Sequence, residues 1–207
     1  MKLYLYVLDT LADWEIGYLT AELRSRRFFA DMNLVVPIVK VGASLDEITT
    51  MGGMTIRPDL ALDQLELEDD DLLLLPGADT WFEPANRGIL LVAKERIARD
   101  LPVAAICGAT FGLASVGALD AKRHTSNDPG YLKAVAKDYA GQALYLELPA
   151  VSDRKLVTAS GLSALDFTYE VIKVLGVFRP ETLEAWKGLN RTARPEYFHA
   201  MMESLGR

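Results

Sequence analysis

The sequence predicts an α/β protein: a mostly parallel sheet with helices on both faces and a short helical C-terminal extension. Three observations carry this. Runs apolar on both faces recur at Leu3–Leu8, Asp71–Leu75 and Val103–Ile106, as expected for strands buried under helices on both sides. Stretches with helical spacing alternate with them. Strand and helix in alternation give a parallel sheet, because each crossover needs a helix to return the chain.

The elements follow in order. Leu3–Leu8 is the first strand. Asp13 is placed to cap a helix, with Ile16, Leu19 and Leu23 on one face, running to about Arg27. Leu34–Val41 reads as the second strand. The segment TTMGGMTIRPD (49–59) has two β-prone arms around Gly52-Gly53, a hairpin signal. Asp71–Leu75 is a third strand, stopped by Pro76-Gly77. Leu90, Ala93, Ile97 and Leu101 mark a helix. Val103–Ile106 is a fourth strand, and Ala109–Val116 the helix after it. A later hairpin is expected with arms Ala143–Leu148 and Lys155–Ala159. Ser163 and Asp166 suggest a capping box for a helix reaching about Leu175. From Pro180 the tail reads as two short helices, the second opened by Pro195. This divides the chain into an α/β domain (1–179) and an extension (180–207), packed on the domain or on a second subunit.

The 207 residues include 22 Lys+Arg and 29 Asp+Glu, a net charge of −7. An acidic chain without a basic cluster is a poor match for nucleic acid or an anionic membrane. The run Glu66–Asp71 reads as a solvated loop. No apolar stretch approaches the ~20 residues of a membrane span. The N-terminal apolar run is short, and no small-residue cleavage site follows it. A single cysteine, Cys107, cannot form an internal disulfide; the expected compartment is the reducing cytoplasm. No cofactor or metal is expected.

Cys107 lies at a strand-to-helix junction, in VAAICGATFG (103–112). Ala105 and Ala109 stand two residues before and two after it. This is the small-x-nucleophile-x-small pattern of a nucleophile elbow, where the turn is too tight for larger neighbours. Gly108 allows close approach to its own N–H, and the start of the next helix should lower the thiol pKa. The competing reading is a small apolar residue ending a buried strand. In an open parallel sheet, sites form beyond the carboxyl ends of the strands, at the topological switch point. In a flavodoxin-like strand order, three loops meet there: Asp9–Glu15, Pro76–Trp81 and Cys107-Gly108. They bring Glu15 and the Ala78 and Gly108 N–H groups toward the thiol, the latter two as an oxyanion hole.

Four segments in register, YLYVLDTLADWE, LLLLPGADTW, AAICGATFGLASVGALD and LVTASGLSALDF, resemble the ThiJ/PfpI family of the class I glutamine amidotransferase-like superfamily, over about residues 1–178. The resemblance implies a flavodoxin-like three-layer sandwich, usually dimeric, so a homodimer is expected. It implies Cys107 as the elbow cysteine, Glu15 as its hydrogen-bonding partner, and Ala78 and Gly108 as the oxyanion groups. Members include glyoxalase- or deglycase-like enzymes, peptidase-like proteins, chaperones and oxidation sensors.

This sequence departs from the family at the base. Peptidase-like members have histidine after the cysteine, where this chain has Gly108. Others have a histidine about twenty residues on, where HTSND (124–128) places Asn127. His124 lies three residues earlier, on the opposite face of an extended strand. His124 and Asn127 are therefore the two candidates for the position beside the thiol, and the other histidine, His199, is in the tail. Without a Cys–His pair, amide hydrolysis and true glutamine amidotransfer lose their acid–base help. Two functions stay open: a cysteine-dependent enzyme acting on a small electrophile such as a reactive carbonyl, or a non-enzymatic oxidation sensor in stress response, with Cys107 oxidised to sulfenic or sulfinic acid. A third, blander reading is an inert thiol. The expected partner is a small electrophile or an oxidant.

Overall fold

The computed structural model describes residues 1–206. A seven-stranded sheet has the order β5-β2-β1-β6-β7-β9-β8. Its strands are β1 (Leu3–Tyr6), β2 (Ile38–Gly42), β5 (Leu60–Ala61), β6 (Leu72–Leu75), β7 (Val103–Ile106), β8 (Ala150–Asp153) and β9 (Leu156–Ala159). All pairs are parallel except β8–β9. The helices are α1 (Asp13–Ser25), α2 (Arg87–Ala98), α3 (Gly108–Ser115), α4 (Pro129–Val135), α5 (Ala164–Leu175), α6 (Pro180–Thr192) and α7 (Pro195–Ser204). Helix α1 packs with α5, and α2 packs with α3, giving the flavodoxin-like layered arrangement. The central strands β1, β6 and β7 are buried at every residue, which is why they carry almost no polar side chains.

Several local expectations shift. Strand β2 starts at Ile38 rather than Leu34, because Pro37 has no N–H to give the ladder; its carbonyl instead accepts from Leu3 N–H at 2.9 Å. The early hairpin forms, with β3 (Ile48–Thr49) antiparallel to β4 (Thr55–Ile56). Asp13 does not cap α1: Ala12 holds that position, and the Asp13 carboxylate accepts from Gly52 N–H of the hairpin at 2.6 Å. The second hairpin uses Ala150–Asp153 as its first arm, not Ala143–Leu148. Gln142–Leu144 is instead a 3₁₀ turn, and β8 begins just after Pro149. Ser163 begins α5 without a side-chain cap, and Asp166 is taken by Arg191 and Lys187.

Asp71 is not part of a solvated loop. It is buried and accepts from Lys2 N–H (2.6 Å) and Glu68 N–H (3.0 Å). The tail helices α6 and α7 pack on each other, and α6 packs on α5. Trp186 is buried, donates from Nε1 to Glu22 at 2.9 Å and meets Tyr18 edge to face.

Candidate functional site

The switch point lies between β1 and β6, on either side of which the connections run in opposite directions. Three loops leave the carboxyl ends of β1, β6 and β7 there. They surround a cavity of about 370 Å³ whose lining includes Glu15, Gly77, Ala78, Cys107, Gly108 and Asn127.

Cys107 sits in the turn from β7 to α3 with φ 58° and ψ −124°. A non-glycine residue there is strained, and it persists only where the surroundings enforce it. They do. The Cys107 N–H is held by Ala159 O at 3.0 Å, and its carbonyl accepts from Thr110 N–H (3.0 Å) and Thr110 Oγ1 (2.6 Å). Ala105 and Ala109 have no exposed surface. At Gly108 a Cβ would lie 2.5 Å from Ala78 O, so no side chain fits. The elbow read from the sequence is therefore a real backbone constraint.

Glu15, in the first turn of α1, is completely buried. Its Oε2 accepts from Gly77 N–H at 2.6 Å. Its Oε1 has no partner except the Cys107 thiol that it faces. Burial pushes the Glu15 carboxyl up to about 7, against the opposing pull of the Cys107 and Gly77 hydrogen bonds. Burial, and then the negative charge of Glu15, push the Cys107 thiol up to about 11; Asn127 and the Gly108 N–H pull the other way. The expected lowering by the helix start is thus outweighed. With Glu15 ionised, a thiolate beside it is repelled. With the proton on Glu15, that repulsion is gone and the carboxyl is a donor to sulfur. The two groups titrate as a pair, holding two protons below about pH 7 and one between about 7 and 11.

Of the two candidates beside the thiol, the structure brings up Asn127 and not His124. Asn127 Nδ2 donates to Sγ at 3.2 Å. Gly161 N–H donates to Asn127 Oδ1 at 2.8 Å, which fixes the amide orientation. Trp14 Nε1 in turn donates to Gly161 O at 3.1 Å, tying this loop back to α1. His124 is fully buried elsewhere. Its Nδ1 is 2.7 Å from Lys122 O and its Nε2 2.5 Å from Tyr139 OH, and burial lowers its pKa. Both ring nitrogens are thereby occupied within the fold, away from the thiol. Asp128 caps α4 by accepting from Tyr131 N–H at 2.6 Å, so the turn formers of SNDPG serve the helix start.

Gly161 was not singled out by sequence reasoning. A Cβ there would lie 2.7 Å from Sγ and 2.9 Å from Glu15 Oε1. The only sequence signal was a glycine following a buried strand in LVTASGLSALDF. The Ala78 N–H has no acceptor among the described residues and, with Gly108 N–H, borders the cavity. Among the described residues no group of three or more His, Cys, Asp or Glu side chains could hold a metal ion.

Known proteins resemble this chain over nearly its whole length. The chain is 47% identical over 206 residues to the uncharacterized protease YoaZ of Bacillus subtilis, covering 100% of this chain and 98% of the relative. It is 28% identical over 109 residues to a protein named deglycase from Thermococcus kodakarensis, covering 47% and 66%. The crystal structure of a ThiJ/PfpI family protein from Bacillus anthracis superposes with a TM-score of 0.95 at 47% identity, covering 98% of this chain and 96% of that one. The family model for DJ-1/PfpI matches residues 1–174. The chain belongs to the DJ-1/PfpI family.

Proposed function

We propose that the protein is an enzyme in which Cys107 adds to a small reactive carbonyl compound and Glu15 moves the proton. The observation that carries this reading is the buried Glu15 carboxyl, its free oxygen turned to the thiol and its pKa raised to about 7. A general acid–base group works best when its pKa lies near the working pH.

The step balances simply. The Cys107 S–H proton passes to Glu15, and sulfur bonds to the carbonyl carbon. The C=O π pair moves to oxygen, beside the Ala78 and Gly108 N–H groups. Glu15 then returns the proton to that oxygen, leaving a hemithioacetal. On an α-oxoaldehyde the same carboxylate can carry the proton from carbon 1 to carbon 2, giving a thioester. Water releases it as a 2-hydroxy acid, so the net change is one added water and no oxidant. Asn127 is a donor that never titrates, and its part is to hold the sulfur in place.

The relative named as a protease does not lead us to peptide hydrolysis, because neither histidine lines the cavity. The relative named as a deglycase fits carbonyl chemistry.

A second reading is favoured by the same unpartnered oxygen: an oxidation sensor, in which protonated Glu15 donates to a Cys107 sulfinate. The test is consumption of methylglyoxal by the wild type, Cys107→Ser and Glu15→Gln. Turnover lost in both variants supports the enzyme. No turnover, with stoichiometric and selective oxidation of Cys107 by peroxide, supports the sensor.

A further inference from the structure

We infer that the Cys107 site selects uncharged carbonyl compounds bearing an alkyl or aryl group and rejects those bearing a carboxylate or phosphate. This rests on the carbonyl reading above and adds the substrate's charge and shape.

The walls around the thiol are aromatic. Trp14, Trp81, Phe82, Phe111 and Tyr131 line the cavity, and Phe111 and Tyr131 meet edge to face at 4.8 Å. Both indole N–H groups are already used. Trp81 donates to Pro76 O at 2.8 Å and Trp14 to Gly161 O at 3.1 Å. The two tryptophans therefore offer only their apolar surfaces to a ligand. Trp14, Phe82 and Tyr131 are about half exposed, at 52%, 53% and 53%, so they stand at the mouth of the cavity.

The charged groups on the lining are Glu15 and Asp79, both acidic; no lysine, arginine or histidine is among them. The donors near sulfur are the Ala78 and Gly108 N–H groups and the Asn127 amide, all placed for the reacting centre. A second anionic group on the substrate would meet aromatic faces, which carry negative charge density, and two carboxylates. It would lose water and gain no cationic partner, whereas sites built for carboxylate or phosphate supply arginine or lysine. An alkyl or aryl group meets the surface it prefers.

The experiment separates this selection from turnover. Cys107 is the single cysteine of the 207-residue chain, so thiol alkylation of that chain reports on it alone. The probes are iodoacetamide and iodoacetate, which attack the same sulfur but differ in charge. The ratio of their rate constants is divided by the same ratio for free glutathione at the same pH and salt. We expect the protein to favour iodoacetamide by at least about tenfold beyond glutathione. A normalised ratio near one overturns the inference. Met51, exposed at the cavity rim, supplies a control. Met51→Lys should reduce the excess at least about threefold, and an unchanged ratio overturns the electrostatic cause.

Turnover is then compared for phenylglyoxal and glyoxylate. Preference for phenylglyoxal supports the inference, and equal or better use of glyoxylate overturns it. No turnover of any carbonyl, with the alkylation preference intact, overturns the catalytic reading and upholds selection by charge.

Discussion

Asn127 donates its side-chain amide to the Cys107 sulfur across 3.2 Å, and Gly161 N–H holds that amide in the one orientation that allows it. The side chain beside the sulfur is thus an amide, which does not titrate. A hydrogen bond to a charged acceptor contributes about 1.5–3 kcal/mol. Asn127→Ala should therefore slow Cys107 alkylation at pH 8 by roughly ten- to a hundredfold. Asn127→Asp should slow it further, since it sets a second carboxylate against the thiolate. Pseudo-first-order rates read by intact mass check both.

Glu15 makes the fold less stable at neutral pH. Its carboxyl has a usual value of 4.5 and is raised to about 7 in the folded chain. Between those values the folded state binds more protons than the unfolded one, so stability falls as pH rises through this window. The stabilising proton is fully bound below 4.5 and lost through 7. Glu15→Gln should raise stability at pH 8 by on the order of 2–3 kcal/mol, and the gain should vanish near pH 4.5. Urea unfolding of both proteins at the two pH values measures it.

His124 is a structural residue in this account. His124→Ala leaves the Tyr139 hydroxyl and the Lys122 carbonyl without their partner and opens a void beside Tyr145. The cost should be roughly 2–4 kcal/mol of stability. The alkylation rate of the folded variant should match the wild type. A rate loss without a stability loss would make His124 part of the site after all.

Gly161 must stay bare. Its Cβ would lie 2.7 Å from Sγ, inside contact distance of both the sulfur and Glu15. Gly161→Ala should cut alkylation at least about tenfold, since a misplacement of about 1 Å in a site can cost a hundredfold. Circular dichroism should show the fold intact.

Much of this site was legible in the sequence because its parts are local. A buried strand, a small-residue turn and a helix start place Cys107. The first turn of the preceding β–α unit places Glu15, and Pro76-Gly77 marks the third loop. What was not legible depends on contacts distant in sequence. Asp13 serves a hairpin 39 residues away instead of its own helix. Asp166 answers Arg191, 25 residues on, instead of capping α5. Asp71 is buried by the N-terminal backbone, 69 residues away. The acidic run and the capping pattern looked routine because their partners are out of sight along the chain. The thiol is pushed up rather than down for a related reason. A helix start is visible in sequence, whereas the burial that outweighs it is not.

Glu15 and Cys107 pass from two protons to one near neutral pH and share the remaining proton above it. The measurement is the rate of Cys107 alkylation by iodoacetamide from pH 5 to 11, in the wild type and Glu15→Gln. The wild type should show a rise centred near 7, a plateau, and a second rise toward 11 as the pair loses its second proton. Glu15→Gln should lose the step near 7 and show a single rise. A wild-type rate climbing without a step through pH 8.5, unchanged in Glu15→Gln, would contradict the account and leave Cys107 an ordinary buried thiol.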